Sequence, residues 1–484
     1  MDAKQATRDA TRPPPDAEMV AIADYVTGDR IDSPEAWDTA RLMLLDSLAC
    51  ALLALRHPAC VARLGPIVAG ADMPGGARVP GTAFELDPAQ AAFNIGLLIR
   101  WLDFNDTWLD AEWGHPSDNL GTILALADFL SRKAEREGRA PLTVRDALGW
   151  AIKAHEIQGC YALRNSFNRF GMDHVILVRL ASTAVATAML GGGRDRIIDA
   201  ISNAWIDNGA LRTYRHAPNT GPRKSWAAGD ACRRAVIHAL AAMRGEPGYP
   251  SALSAPTWGF YDVSRAGQPF EFERPFGSYV MENILFKISF PAEFHAQTAV
   301  ECALRLHPQV VDRIADIQSI VIHTQQAGMR IIDKTGPLAN YADRDHCLQY
   351  MVAVPLLFGR LTAEDYGDDV AADPRIDALR EKMTVQENPQ FTLDYHNPDK
   401  RYIGNAVQVF FKDGSASQKV VVDVPIGHRR RREEGIGLLR AKFEAAVRGV
   451  FPEEQAVDIL AMTADPACLD STPIQQFLNG FREK

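Results

Sequence analysis

Residues 103–121, DFNDTWLDAEWGHPSDNLG, place four aspartates, a glutamate, a histidine and two tryptophans within an otherwise apolar part of the chain. The carboxylates and imidazole of Asp103, Asp106, His115 and Asp118 are ligand types for several divalent ions. The histidine pair four residues apart that announces a zinc helix is absent, so the expectation is acid–base chemistry without a metal. Singly, each residue has an ordinary use: Ser117 or Asp118 suits the N-cap of a helix beginning at Asn119. As a group they sit on a Gly-His-Pro turn just ahead of that helix, whose first N–H groups attract an anion. His115 has the side chain whose usual pKa lies nearest neutrality, which makes it the principal candidate for proton transfer. Asp103, earlier on the same loop, is the candidate to orient it or exchange protons with it. Burial of Asp103 against Trp108 or Trp113 would raise its pKa.

Such a loop needs rigid elements to carry it, and the first half of the chain reads as helix. Ser33-Pro34 offers an N-cap and a first-turn proline, after which Leu45, Leu48, Leu52 and Leu55 recur at three- and four-residue spacing. NLGTILALADFLSRKAE, VRDALGWAIKAHEIQGCYAL, VILVRLASTAVATAMLGG and DACRRAVIHALAAMR continue the pattern, with many small residues that let helices approach closely. Gly191–Gly193 reads as a helix stop, because the strand and the G-x-G-x-x-G spacing of a nucleotide loop are missing. After about residue 250 a connector rich in Gly, Pro and aromatics intervenes. IADIQSIVIHTQ then alternates like a strand, and AVQVFFKDGSASQKVVVDVPIG reads as a hairpin turning at Asp413-Gly414. DHCLQYMVAVPLLFG is a helix between them. The expected organisation is a disordered lead over 1–17, a helical domain over 18–280, an α+β lid domain over 281–429, and a helical return to the first domain over 430–484. The fold class is mainly α.

Composition narrows the function. With 61 acidic against 52 basic residues the net charge is −9, which argues against a binder of nucleic acid. Seven scattered cysteines without a C-x-x-C pair suggest reduced thiols, and no triplet at iron–sulfur spacing. The leucine-rich helix is interrupted by Arg41 and Asp46, so no membrane span is expected. The N-terminus has no apolar signal core, and the cytoplasm is the default location. HRRRREEG, at 428–435, reads as a solvated, salt-bridged loop.

DFNDTW followed by GHPSDNLG, then SWAAGDA and FKISFPAEFHAQTAVE, resembles the 2-methylcitrate dehydratase family, also called the MmgE/PrpD superfamily. The likeness runs from about residue 18 to the C-terminus, and the AEWGHPSDN form is similar to the dehydratase branch itself. The resemblance implies an all-helical domain with a smaller α+β lid, a homodimer, and no metal or organic cofactor. It also implies elimination of water from 2-methylcitrate to 2-methyl-cis-aconitate, in the methylcitrate cycle of propionate breakdown. Decarboxylation of cis-aconitate in the same pocket is the alternative, and a metal-dependent hydrolase is the remote one. By resemblance the site falls on Asp103, Thr107, His115, His174, Lys224, Lys287 and Tyr350. Glu293, with His295 two residues on, stands where the decarboxylase branch has a histidine after Phe-Pro-Ala, and both are carried as candidates. Asp103, His115 and Tyr350 are assigned to catalysis; Thr107, His174, Lys224, Lys287, Glu293 and His295 are assigned to the substrate. Three carboxylates call for several cations, and the elimination needs both a base and an acid.

Overall fold

The Ser-Pro pair does start a helix. In a computed structural model of the chain, which describes residues 10–28, 30–207, 209–216 and 218–483, Ser33 accepts the N–H of Ala36 at 3.2 Å and Pro34 opens the helix Pro34–Ala54. Of the expected lead, residues 1–9 lie outside the described residues. Asp16 is buried, with its carboxylate accepting from Leu253 N at 2.8 Å, and the helix Ala17–Gly28 follows it.

Small residues set how closely the central helices cross. Pro88–Arg100, Leu120–Arg136 and Arg223–Met243 meet at Gly96, Gly121 and Gly229. A Cβ on Gly96 would stand 2.8 Å from Gly229 Cα, and one on Gly121 would stand 3.0 Å from Gly96 Cα. Any larger residue would force the helices apart in an interior packed to crystal density. The crossing draws the C-terminus of the first helix and the N-termini of the other two toward one end. Val144–Arg164 starts with a Thr143/Asp146 capping box, and Val175–Met189 ends before Gly191, in the left-handed region at φ +88°, as the glycine run predicts.

A second apolar cluster forms where Gln297–Val310 and Leu348–Phe358 cover a four-stranded sheet. The strand order is Met383–Glu387, Ile317–Thr324, Asn405–Phe411, Val420–Val422, with the first pair parallel and the others antiparallel. The hairpin turns at Gly414, φ +84°. Met383–Glu387 escapes the sequence reading because it is a largely exposed edge strand of five residues, MTVQE, whose alternation of Met and Val with Thr and Gln is too brief to stand out. The chain then returns to the first cluster: Arg432–Arg448 packs Leu439, Phe443, Ala446 and Val447 into it. The basic run before it is salt-bridged, Arg431 to Glu301 and Glu434 and Arg429 to Glu35. Among the described residues no helix is long and apolar enough to cross a membrane.

Candidate active site

Asp103 is the hub. The helix Pro88–Arg100 ends just before it, and the chain turns through Asp103 at φ +50°, a left-handed conformation that costs a non-glycine residue about 1–3 kcal/mol and concentrates at functional sites. Arg100 Nη1 lies 2.8 Å from its Oδ1, and Lys287 Nζ donates both to Oδ1 and, at 2.8 Å, to its carbonyl. Two imidazoles face the same carboxylate: His115 Nε2 is 3.7 Å from Oδ1 and His346 Nε2 is 3.6 Å from Oδ2. Burial opposes ionisation, yet Arg100, Lys287 and the two histidines hold the Asp103 carboxyl well below the usual carboxylate range. The expected upward shift is therefore reversed, because cations and not indoles surround the group. Trp108 instead turns its N–H to Gly159 O.

His115 follows the short antiparallel ladder Trp108–Leu109 with Trp113–Gly114 and precedes the 3₁₀ turn Pro116–Asn119. Its Nδ1 lies 2.6 Å from the carbonyl of Asp106 and 3.1 Å from Thr107 Oγ1. A carbonyl only accepts, so Nδ1 carries the proton and the Nε2 lone pair faces the cavity. Burial, with the charges of Arg100 and Lys287, pushes the ring well below its usual pKa and keeps it neutral. The ring is therefore neutral before substrate binds, its Nε2 lone pair free to accept a proton.

The capping expectation is corrected too. Ser117 Oγ donates to Asp106 Oδ1 at 2.7 Å, and the carboxylate of Asp106 takes Ser117 N at 3.1 Å; the chain enters the helix through the 3₁₀ turn, so neither Ser117 nor Asp118 serves as its N-cap. Asp118 is fully buried, accepts from Asn105 Nδ2 at 3.0 Å, and has no hydrogen bond on Oδ2. Burial pushes its carboxyl up to about 7 from an ordinary 3.8. A raised folded-state pKa stabilises fully below the unfolded value, and that contribution is lost as pH rises through 7. Asp118→Asn, which cannot ionise, should therefore gain Tm relative to the parent between pH 5 and 8. A gap that stays constant over that range would show that Asp118 does not titrate there.

The cavity beside Asp103 is lined by four cationic side chains, Arg100, Arg212, Arg215 and Lys287, against two carboxylates, Asp103 and Glu293. Arg215 pairs with buried Asp173. Arg212 Nε and Nη1 are buried without a hydrogen-bond partner, although Nη1 lies 3.7 Å from Asp173 and 3.9 Å from Glu112, so its charge is paired while its donors stay open to an acceptor in the cavity. His174 precedes the helix Val175–Met189, its ring centroid 5.6 Å from that of His115; burial holds it well below its usual pKa despite Asp173 beside it, and its Nε2 is unpartnered. Leu109, Trp113, Phe294 and Ile331 form an apolar wall. The enclosed volume is about 40 Å³, little more than one water molecule occupies in the liquid. Larger surface hollows, of about 560 and 690 Å³, contain no imidazole in their walls.

Asp103, Thr107, His115, His174, Lys287 and Glu293 thus meet in one cavity. Of the Glu293/His295 pair it is Glu293 that faces inward; burial opposes its ionisation, but His295, at 2.8 Å, holds it at about 2. His295 sits behind it on Tyr395. Lys224 does not line the cavity. Its ammonium donates to Asp345 Oδ2 at 2.6 Å and lies 3.0 Å from His346 Nδ1, so it acts one residue removed. Tyr350 is in the second core, its hydroxyl donating to Asp365 O at 2.6 Å and its ring stacked on Tyr366.

Arg100, Arg212, Arg215 and His346 were not singled out by sequence. Arg100 carried a signal, a charge at the buried end of an apolar helix; the two arginines of a loop without periodicity carried none. Asp103, Asp345 and His346 offer atoms within 4.8 Å of one another that could hold a metal. Arg100 and Lys287 already neutralise Asp103, and Lys224 neutralises Asp345, so a dication there would be repelled by three cations. The donor set is that of a charge-paired cluster.

Two family models match the chain, the MmgE/PrpD N-terminal domain over residues 20–273 and the MmgE/PrpD C-terminal domain over residues 290–465. The chain is 62% identical over 471 residues to a protein named 2-methylcitrate dehydratase from Salmonella typhimurium, covering 97% of this chain and 98% of the relative. A protein of the same name from Escherichia coli K12 is 61% identical with the same coverage. One named 2-methylcitrate dehydratase, mitochondrial, from Yarrowia lipolytica is 59% identical over 458 residues, 94% of this chain and 88% of its own length. With the N-terminal model alone spanning more than half of its length, the chain belongs to the MmgE/PrpD family.

Proposed function

We propose that this protein is a carbon–oxygen lyase that removes water from 2-methylcitrate to form 2-methyl-cis-aconitate, working in the cytoplasm as a homodimer. The observation that carries the chemistry is the fixed tautomer of His115: its Nδ1 proton is committed to the Asp106 carbonyl, so Nε2 is a neutral base open to a cavity walled by cations. Near full-length identity to proteins named for this reaction supports the substrate. Arg212, Arg215, Arg100 and Lys287 hold the three carboxylates, with Thr107 and His174 as further polar contacts.

His115 Nε2 takes the proton α to a carboxylate. The C–H electron pair is delocalised onto that carboxylate, where the cations stabilise it, and Asp103 stabilises the imidazolium formed. As the double bond forms the C–O bond breaks, and the hydroxyl leaves with a proton from His346 Nε2. Burial and the Lys224 charge push the free His346 down, while Asp345 pulls the other way. The negative charge of a bound tricarboxylate offsets those cations and favours the protonated ring. The small cavity admits this substrate only when the wall from the second domain, which carries Glu293, Phe294, Ile331 and His346, withdraws.

Incubation with 2-methylcitrate and with cis-aconitate, before and after chelation, tests the reading. The expected result is a conjugated alkene from 2-methylcitrate, no carbon dioxide from cis-aconitate, and no loss on chelation. Carbon dioxide release without dehydration would move the protein to the decarboxylase reading. Activity lost to chelator and restored by zinc or iron would revive the metal-dependent one.

A further inference from the structure

The ammonium of Lys442 is a charge that the proposed proton transfers do not use. It projects from the helix Arg432–Arg448 into the protein, where it is buried. Its three protons are all engaged, with Asp46 Oδ1 at 2.8 Å, the carbonyl of Phe104 at 2.9 Å and the carbonyl of Lys287 at 3.0 Å. The bond to Asp46 alone would make it an ordinary buried ion pair between helices. The two carbonyls set it apart, because one belongs to the residue after Asp103 and the other to the residue whose side chain holds Asp103.

Asp103 keeps a left-handed backbone that a non-glycine residue adopts at a cost, so something must over-determine it. Its own carbonyl ends on Lys287 Nζ and the next carbonyl ends on Lys442 Nζ, so consecutive peptide dipoles of the turn each point at an ammonium. Thr107 and Leu285 clip the same two segments together by exchanging N–H···O bonds of 2.7 and 3.0 Å. Behind that clip, Lys442 is, among the described residues, the one side chain from outside the two segments that donates to both, and the centroid of the Phe104 ring lies 3.4 Å from its ammonium.

We propose that Lys442 is a positioning residue for the reaction: by holding the Phe104 and Lys287 carbonyls it keeps the Asp103 turn wound and the Asp103 carboxylate aimed at His115 and His346. The inference rests on the reading of Asp103 and His115 given under Proposed function. It assigns to the C-terminal return a part in catalysis as well as in packing.

The competing account is that Lys442 and Asp46 only fasten the helix Arg432–Arg448 to Pro34–Ala54. Lys442→Met leaves Asp46 as an unpaired buried carboxylate, so Tm should fall. Lys442→Met with Asp46→Leu replaces the ion pair by an apolar pair and should recover the Tm lost to the unpaired carboxylate, short only of the cost of the two carbonyls left without their donor. In the double variant kcat should still be lower by about 10–100-fold, with KM changed less than about threefold, because misplacement of a reacting group is felt mainly in turnover. Full recovery of kcat together with Tm would overturn the proposal.

Asp46→Asn provides a second arm that keeps both carbonyl contacts. It should lower Tm while leaving kcat within about threefold of the parent; a kcat loss as large as that of Lys442→Met would also overturn the proposal. A crystal structure of the double variant gives a readout that needs no substrate: Asp103 should leave the left-handed region. If φ stays near +50° with the Lys287 contact intact, the proposal fails even should the protein prove to act on another substrate.

Discussion

His115→Gln lowers kcat by about 10²–10⁴-fold while KM changes far less. The glutamine amide can still donate to the Asp106 carbonyl and fill the space of the ring, and the four cations lining the cavity are untouched. What disappears is the lone pair that accepts the proton, since an amide oxygen is a negligible base in water. The measurement is steady-state kinetics on a variant whose circular dichroism and Tm match the parent. If the folded variant keeps a third or more of the parent turnover, His115 is not the base and the proton must go to another group facing the cavity, with His174 the first to test.

Lys287→Met has the second large effect, and it shows in two independent ways. Lys287 is one of two cations on the Asp103 carboxylate and also lines the cavity, so its loss weakens substrate binding and loosens the hub at once. A drop in kcat/KM equivalent to about 2–4 kcal/mol, or roughly 30- to 1000-fold, is expected for a buried charged hydrogen-bond partner. The pH dependence gives the other readout. Asp103 is depressed in the folded state, so it contributes stability that is present above its unfolded pKa, ordinarily 3.8, and lost as pH falls through the lower folded value. Burial favours the neutral acid and the neighbouring cations oppose it, so removing Lys287 raises the folded pKa. The acid-unfolding midpoint should therefore move to higher pH than in the parent. An unchanged midpoint with near-normal kcat/KM would show that Asp103 is held by Arg100 alone.

The helix starts and stops were legible in the sequence because they depend on a few neighbouring residues. Ser33-Pro34 and the glycine run at 191–193 act within one turn, and the hairpin turns at Gly414, whose φ of +84° a glycine adopts without strain. The mainly α class followed from periodicity, since one stripe per helix must be buried whatever it packs against. The pairing of Asp103 with His115 was legible for the same reason: they share one loop, and a loop so rich in acidic and imidazole groups has few uses apart from chemistry, whereas Thr107 on that loop came from resemblance. His174, Lys224 and Lys287 came from resemblance, because no local pattern sets a lone histidine or lysine apart from a surface one.

What only the tertiary structure decided is the electrostatics. A sequence gives each ionisable group its ordinary pKa, while burial and the charges that the fold brings near it can move that value several units either way. Asp103, which burial against an indole would have raised, is held low because the crossing at Gly96, Gly121 and Gly229 and the returning helix Arg432–Arg448 bring Arg100 and Lys287 onto it. Asp118, expected to be a helix cap, is pushed up to about 7 because the chain enters its helix through a 3₁₀ turn and leaves the carboxyl fully buried. Tyr350 lies on a helix face turned into the second core, a matter of rotation about the helix axis that its neighbours in sequence do not specify. His346 reaches Asp103 across nearly 250 positions. Sequence determines which groups are available; the order in which they hold and pass a proton belongs to distances that exist only once the chain has closed.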